Sequence, residues 1–362
     1  MLKKISKKSI DKKLLLIVLI LIFLGLVAIA DVSSPLAEKQ FGDRFYFFKQ
    51  QIVWTVIGFV LMFVVSKINY KHYEKYATYL FLVSVGLLIV VLFPQVGSKL
   101  LGARRWIIYG PVSIQPSELA KLALVIYLPK VISKGKSILL PFLFIAFISL
   151  LVMLQPDLGT TLIIVVIGLS QIFLSGINII YLTFFSILGS ILVFVSIITS
   201  DYRMQRLTSF IDNFLNPESS YHIKQVLLAI GSGGIFGVGL GQSKQKFLFV
   251  PESSSDSIFA IISEEVGFLG SIIIIMLFLY LLIRCAKIVL STKDKYGKLL
   301  GAGIMVWVGI QFLFNIASMV ALVPITGIPL PFFSHGGSAL ISILMAIGIL
   351  LNISKYNGNK DD

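Results

Sequence analysis

Residues 14–30 read LLLIVLILIFLGLVAIA, a run without any charged side chain. The hydrocarbon core of a bilayer is about 30 Å thick, and an α-helix needs roughly 20 apolar residues to cross it. The run therefore predicts a membrane-spanning helix near the start of the chain.

A cleaved signal peptide is an alternative interpretation of this segment. Six lysines precede the run, and Ala28-Ile29-Ala30 has the small-x-small form of a cleavage site. A retained first helix is favoured, because the run is long for a signal peptide and further apolar runs follow it.

The same apolar pattern recurs along the chain, which has 362 residues, of which 57% are hydrophobic and 13% charged. A soluble fold of this length could not bury so much apolar surface. The net charge of +14 does not indicate nucleic acid, because the basic residues form short clusters between apolar runs, where they orient membrane helices. The predicted fold class is an all-α membrane protein with about ten transmembrane helices, near residues 14–30, 50–67, 76–94, 116–132, 138–155, 158–175, 179–199, 257–283, 299–323 and 333–353.

The lysines and arginines predict the orientation of these helices. With both termini in the cytoplasm, the majority of basic residues fall in the cytoplasmic segments, as the positive-inside rule requires. The outer side then holds a long extracytoplasmic loop, residues 200–256, between helices 7 and 8. We expect residues 1–362 to form a single polytopic membrane domain.

Charged residues in or beside membrane helices are functional candidates by default. Glu118 and Lys121 follow Pro116 at a predicted helix start and are three residues apart, so they can form an ion pair. Lys121 could instead meet an anionic lipid headgroup. Asp157 and Asp256 each precede an apolar helix, which from position alone favours an N-cap role.

Two further charged pairs lie on the predicted outer side. Glu264 and Glu265 are adjacent in a helix, so they should not both face one partner, and at least one should face a polar cavity. Arg104 and Arg105 precede Trp106; arginine forks suit phosphate, whereas interfacial anchoring of the loop is the plainer interpretation.

The long outer loop contains two distinctive stretches. Residues 221–230 have apolar side chains at near-helical spacing, which is typical of an amphipathic helix at a membrane interface. Residues 231–241 are rich in glycine, but no βαβ context surrounds them, so they do not predict a dinucleotide site. The three scattered histidines and one cysteine give no metal motif. From these residues alone, a transporter and an enzyme acting on an anionic lipid both stand.

A series of motifs resembles the SEDS family (shape, elongation, division and sporulation) over nearly the whole chain. The motifs occur in family order, namely GARRW at 102–106, SIQPSELAK at 113–121, QPDLGT at 155–160, GQSKQK at 241–246, ITGIPLPF at 325–332 and GGS at 336–338. The stretch from residue 241 to 252 and the GARRW run look more like the FtsW and SpoVE branches than the RodA branch.

The chain departs from the family pattern at three places. The usual His-Thr-Asp-Phe run reads Ser254-Ser255-Asp256-Ser257, which keeps the carboxylate but not its neighbours. The usual Ser-Tyr-Gly-Gly-Ser has His335 in place of tyrosine, and the usual Lys-Arg-Gln has Gln50 in place of arginine. These changes bear on substrate contacts or rate more than on the class of reaction.

The resemblance implies a ten-helix peptidoglycan polymerase that uses lipid II at the outer face of the bacterial cytoplasmic membrane. It makes Asp256 the general base or the residue that orients the nucleophile. It also implies substrate-binding roles for Arg104, Arg105, Glu118, Lys121, Asp157, Gln225, Lys244 and Lys246. A divalent cation, Mg²⁺ or Mn²⁺, could assist the pyrophosphate.

The implied partners are lipid II, an undecaprenyl-pyrophosphate-linked glycan, a class B penicillin-binding protein (a transpeptidase) and other membrane proteins of the divisome at the septum. No nucleic acid is expected. Three alternatives stay open, namely a lipid II flippase or transporter, a non-catalytic scaffold that recruits a transpeptidase, and a RodA-like elongation polymerase. Charges gathered on the outer side favour surface chemistry over transport, because a transporter needs polar groups along its whole path.

Overall fold

The architecture comes from a computed structural model of the chain. The structure describes residues 10–100, 103–110, 112–135, 137–199, 204, 207–208, 211, 221–247, 255–324 and 327–356. Several residues used in the sequence analysis lie outside this set, including four of the N-terminal lysines, Gly102, residues 325–326 and a large part of the predicted loop 200–256.

The described residues fold mainly into helices. Twelve are long enough to be delimited within these ranges. They are α1 (Lys12–Val32), α2 (Ser34–Phe41), α3 (Tyr46–Lys67), α4 (Tyr70–Val90), α5 (Pro116–Ser133), α6 (Leu139–Met153), α7 (Leu158–Leu174), α8 (Ile179–Ile198), α9 (Tyr221–Ser232), α10 (Ile258–Ser291), α11 (Lys295–Met319) and α12 (Gly337–Tyr356).

Each of the ten predicted spans overlaps one of these helices, which confirms the predicted class of helical membrane protein. Among the described residues, α1, α3, α4, α8, α10, α11 and α12 are long and apolar enough to cross a bilayer, and α6 and α7 are shorter apolar helices. The helix α5 carries Glu118 and Lys121 in its first turns. The number of crossings and the cytoplasmic position of both termini stay predictions.

The connection between α4 and α5, on the outer side in the predicted orientation, contains a small antiparallel sheet that the sequence analysis did not predict. Its strands are β1 (Gly97–Leu100), β2 (Ala103–Tyr109) and β3 (Val112–Ile114), in the order β1-β2-β3. Trp106 pairs with Ser98, and Ile107 pairs with Ile114. The GARRW motif therefore lies at the start of a strand, which directs Arg104 and Arg105 to opposite faces.

The longest described helix, α10, is broken at Gly267, where φ is 70° and ψ is −169°. The glycine-rich segment, residues 231–241, fills the break. The main-chain N–H groups of Val238 and Gly239 donate to the main-chain oxygens of Glu264 and Glu265, both at 3.0 Å. On the C-terminal side of the break, the N–H of Phe268 donates to the main-chain oxygen of Gly234 at 2.9 Å. The segment thus replaces the backbone hydrogen bonds that the broken helix loses.

Candidate active site

Asp256 lies at the outer end of α10, as the predicted orientation places it, and is 8% exposed. The helix begins at Ile258 with Ser257 in the N-cap position. The N-cap prediction for Asp256 is therefore wrong by one residue, because the backbone turns into the helix after it. The Asp256 carboxylate accepts from the Ser255 hydroxyl at 3.3 Å.

A buried amide on α11 fixes the backbone of Asp256. The Nδ2 atom of Asn315 donates to the main-chain oxygens of Asp256 at 2.7 Å and of Ile328 at 2.8 Å. Asn315 is fully buried. It joins the catalytic candidate to the connection between α11 and α12.

That connection passes directly beside the Asp256 carboxylate. Gly327 adopts a left-handed φ of 72°, and a Cβ there would lie 3.6 Å from Asp256 Oδ2. Ser334 closes the turn, since its Oγ accepts from the N–H of Leu330 at 2.7 Å and donates to the main-chain oxygen of Ser255. The left-handed φ favours glycine at 327, where a Cβ would be in ordinary van der Waals contact with the carboxylate.

Glu118 and Lys121 form the predicted ion pair, with Lys121 Nζ 2.8 Å from Glu118 Oε1 and both side chains buried. The ammonium group also lies 5.2 Å from the centre of the Trp307 ring and 3.4 Å from Gln311 Oε1. A buried pair with these extra partners holds its charges in one geometry. The second carboxylate oxygen of Glu118 is buried and has no hydrogen-bond partner in the described part of the chain.

Gln311 links this ion pair to the Asp256 region. Its Nε2 donates to the main-chain oxygen of Pro329 at 3.0 Å, and it lies one helical turn from Asn315 on α11. Lys121 and Asp256 thus contact the same connection through two neighbouring amides. This arrangement brings together two of the residues that the sequence analysis proposed separately.

Arg105 fastens the sheet to the turn between α6 and α7. Its guanidinium donates to the main-chain oxygens of Gln155, at 3.0 Å, and of Pro156. Asp157 follows in that turn and caps α7, accepting from the Thr160 N–H at 3.0 Å and the Thr160 hydroxyl at 2.8 Å. The N-cap prediction for Asp157 is confirmed. Arg104 is half-buried on the opposite face of the strand, with no side-chain partner among the described residues.

Lys246 is buried between two carboxylates. Its Nζ lies 2.8 Å from Asp31 Oδ1 and 3.0 Å from Glu265 Oε1. Burial by itself disfavours the charged ammonium, but the hydrogen bonds to Asp31 and Glu265 outweigh it and hold the pKa of Lys246 above its ordinary value. Lys246 therefore joins α1 to α10 through its hydrogen bonds to Asp31 and Glu265.

Glu264 and Glu265 both contact one segment, contrary to the expectation that they would face different partners. The N–H of Ser243 donates to Glu265 at 3.2 Å, and the Ser243 hydroxyl donates to Glu264. Glu264 also accepts from the N–H of Lys244 at 3.1 Å. Residues 243–244 curve around the part of α10 that precedes the break at Gly267. They therefore reach two side chains that are about 100° apart on the helix surface.

The helix α9 brings His222 to the start of α10, where its Nε2 lies 3.0 Å from Ser257 Oγ. Gln225 is half-buried one turn further along α9. Lys244 is exposed, and no side-chain partner for it lies among the residues that the structure describes. Among the predicted cations in the described part of the chain, Arg104 and Lys244 are thus the two whose side chains form no described ion pair or hydrogen bond.

The described residues do not by themselves fit a divalent cation. Within them, no three His, Cys, Asp or Glu side chains come together to hold one. Glu118 pairs with Lys121, and Asp157 bonds to Thr160. The roles proposed for this chain are therefore assigned to its own side chains.

Sequence reasoning missed Asn315 and Gln311. Both lie four residues apart on one face of a predicted span, and both are fully buried. A polar side chain within a membrane helix is costly unless it is paired, so two amides on one face are a detectable signal. Charged side chains give the stronger signal in a membrane helix, and these two amides carry no charge.

Comparisons with known proteins bear on this site. The family model FTSW_RODA_SPOVE, described as "Cell cycle protein", matches residues 12–359. The chain is 40% identical to stage V sporulation protein E of Bacillus subtilis, over 97% of this chain and 99% of that protein. It is 37% identical to a probable peptidoglycan glycosyltransferase FtsW of Trichlorobacter lovleyi, over 95% of this chain and 93% of that protein.

Solved structures share the fold. A chain from a peptidoglycan synthase complex, described for its coordination of polymerization and crosslinking, aligns with a TM-score of 0.80 and 26% identity, over 98% of this chain and 99% of that one. RodA of Thermus thermophilus aligns with a TM-score of 0.71 and 27% identity, over 96% and 97% of the two chains. The chain therefore belongs to the FtsW/RodA/SpoVE family, the SEDS family that its motifs resemble, and is a multi-pass membrane protein.

Proposed function

We propose that this protein is a peptidoglycan glycosyltransferase that polymerises lipid II at the outer face of the cytoplasmic membrane. The observation that carries the proposal is the position of Asp256. This carboxylate precedes a membrane helix, its backbone is fixed by Asn315, and it lies beside Gly327 in the connection between α11 and α12. Relatives named peptidoglycan glycosyltransferase FtsW support the reaction class.

The reaction transfers a growing glycan to an incoming lipid-linked sugar. The bond between the anomeric carbon of the glycan and its undecaprenyl pyrophosphate breaks, and a bond forms between that carbon and the 4-hydroxyl oxygen of the incoming GlcNAc. The hydroxyl proton passes to Asp256, and the undecaprenyl pyrophosphate departs. A base within hydrogen-bond reach of the acceptor hydroxyl is the group this step requires.

Cationic side chains must stabilise the negative charge of the departing pyrophosphate. Arg104 and Lys244 are our candidates for direct contact, because neither side chain has a partner among the residues that the structure describes. Arginine can bind phosphate through two parallel hydrogen bonds. Lys121 and Lys246 are already paired with carboxylates, so we assign them to the electrostatic field and positioning of the site.

The remaining predicted substrate residues have supporting positions in this proposal. Arg105 and Asp157 hold the turn between α6 and α7, and Glu118 fixes Lys121. Gln225 lies one turn from His222, which contacts Ser257 next to Asp256. We expect substitution of Gln225 to affect acceptor binding more than the chemical step.

We also propose a partner and a location. The similarity to a chain from a peptidoglycan synthase complex supports a class B penicillin-binding protein as partner, together with other divisome membrane proteins. Similarity to proteins named FtsW supports septal wall synthesis over a RodA-like role in elongation.

The test is reconstitution with labelled lipid II and a cognate transpeptidase whose own active site is blocked. The proposal expects a ladder of glycan strands. If no ladder forms in the complex, while labelled lipid II headgroups cross the bilayer of vesicles that contain the protein, the flippase alternative is correct. If neither occurs, the scaffold alternative gains support.

A further inference from the structure

The two ends of the α1–α10 pair carry charged contacts that mark out the bilayer. At one end, Asp11 pairs with Arg284; at the other, Asp31 and Glu265 share Lys246. Asp11 and Asp31 are twenty residues apart, which is about 30 Å at 1.5 Å per residue. This separation matches the roughly 30 Å thickness of the hydrocarbon core. The level of Lys246 is therefore one boundary of that core.

The glycine-rich segment lies on the bilayer side of this boundary. The N–H groups of Phe268 and Leu269 donate to the main-chain oxygens of Gly234 and Ile235 at 2.9 and 3.1 Å. Phe268 lies about one helical turn beyond Glu265 toward the opposite end of α10, or about 5 Å further into the core. Ile235 is held at that level by its backbone.

The side chains of the segment point away from the protein. Phe236 is 81% exposed, Leu240 is 72% exposed and Ile235 is 60% exposed. They continue the exposed apolar surface of α10, where Phe268 and Ile273 are also exposed. Large apolar side chains exposed together mark an interaction surface, and a helix that spans a membrane presents such a surface to lipid.

The backbone chemistry of the segment suits a lipid environment. Irregular backbone is tolerated at membrane depth only where its polar groups are satisfied by protein. Here the break at Gly267 provides the acceptors and donors, and Gly233 and Gly237 permit the close approach, since a Cβ at either would overlap the backbone of α10.

We infer that residues 233–241 form a re-entrant segment whose Ile235, Phe236 and Leu240 side chains contact lipid acyl chains at the outer-leaflet boundary. This part of the predicted extracytoplasmic loop would therefore lie in the membrane. It would anchor the adjoining Ser243–Lys246 stretch, and hence the start of α10, at a fixed depth.

Site-directed spin labelling tests this inference on the full chain in phosphatidylglycerol–phosphatidylcholine vesicles. Cys285, the single cysteine, is buried and is first replaced by alanine. Labels are placed at Phe236→Cys and, separately, Leu240→Cys. Two control labels are used. Phe23→Cys, in the middle of α1, represents a lipid-exposed position, since Phe23 is 65% exposed. Tyr109→Cys, at the end of β2, represents a water-exposed position, since Tyr109 is 87% exposed.

The measurement compares collision rates with oxygen, which concentrates in lipid, and with a water-soluble nickel chelate. The inference expects positions 236 and 240 to favour oxygen, with ratios between those of Phe23→Cys and Tyr109→Cys and nearer to the former. Nickel-dominated relaxation like that of Tyr109→Cys would place the segment in water and overturn the inference. Low accessibility to both reagents would overturn it as well, because protein would then cover the segment. Agreement of both labelled positions guards against a local effect of either substitution.

Discussion

Asn315 donates a hydrogen bond from its Nδ2 to the main-chain oxygen of Asp256 at 2.7 Å, and a second to Ile328 at 2.8 Å. One buried amide thus fixes the catalytic candidate to the connection that runs beside its carboxylate. The position of Asp256 depends on α11 as much as on its own helix.

Replacement of Asn315 should therefore impair polymerisation. In Asn315→Leu the side chain keeps its approximate volume, but two buried carbonyl oxygens lose their donor, at a cost of about 1–3 kcal/mol for each unsatisfied group. We expect a lower thermal midpoint in detergent and a fall in glycan synthesis larger than the loss of folded protein. Ser318→Ala is the matched control, because the described hydrogen bond of the Ser318 hydroxyl is to the main-chain oxygen of Asn315 in its own helix. Equal activity in the two variants would contradict a positioning role for Asn315.

Loss of Lys246 should destabilise the contact between α1 and α10. Lys246→Met leaves Asp31 and Glu265 close together without their shared cation. Removing one partner of a buried pair typically costs roughly 3–5 kcal/mol, and we expect the lower end because 29% of the Asp31 side chain is exposed. The double variant Lys246→Met with Glu265→Gln should recover part of the thermal midpoint. If the double variant is less stable than the single one, repulsion between the two carboxylates is not the cause.

A methyl group at Gly237 should disrupt the backbone contact between the glycine-rich segment and the break in α10. Gly237 has a φ of 83°, and a Cβ there would overlap the main-chain oxygen of Glu265. We expect Gly237→Ala to lower the thermal midpoint clearly. Gly231→Ala is the control, since no atom lies within 4 Å of its Cβ position. It should be neutral or stabilising by up to about 1 kcal/mol, as for glycine in a helix. Equal midpoints for the two variants would argue against the backbone contact.

His335 should make stability depend on pH. It lies outside α12, in contact with Gln50 at 3.2 Å, and burial lowers the pKa of its imidazole to about 4. In the unfolded chain the pKa is about 6.5. Between these values the unfolded state binds more protons, so the stability contributed by neutral His335 is present above pH 6.5 and is lost as pH falls toward 4.

The variant His335→Tyr carries the residue usual in the family and does not titrate in this range. Its thermal midpoint should fall less than that of the wild type between pH 6.5 and pH 4.5. Parallel curves for the two proteins would contradict the lowered pKa of the half-buried His335 imidazole.

The sequence predicted the membrane helices well, because an apolar run of spanning length has few alternative interpretations. It also predicted the Glu118–Lys121 ion pair and the Asp157 cap, since both depend on neighbours in one helix turn. It could not predict the contact between Lys246 and Asp31, which joins residues 215 positions apart. The break at Gly267 was missed for a similar reason, because a glycine in an apolar run gives no sign of the distant segment that fills the gap.

Two of the departures from the family pattern lie far apart in the sequence but close together in the structure. Gln50 stands where the family usually has arginine, and His335 stands where it usually has tyrosine. The structure places these two side chains in contact. They are therefore neighbouring changes in one local contact, at the outer end of α3 in the predicted orientation, rather than two independent losses.

The most direct test of the central claim is polymerisation of labelled lipid II by Asp256→Asn in complex with the blocked transpeptidase. Asparagine keeps the shape of the side chain but cannot accept the acceptor proton, so we expect the glycan ladder to fall by at least about 100-fold, within the range for loss of a general base, while expression and thermal midpoint stay near those of wild type. Glu38→Gln is the matched control, because Glu38 is an exposed carboxylate in the first outer connection, paired with Arg44, and its ladder should be unchanged. A ladder of wild-type intensity from Asp256→Asn would contradict the assignment of Asp256 as the base.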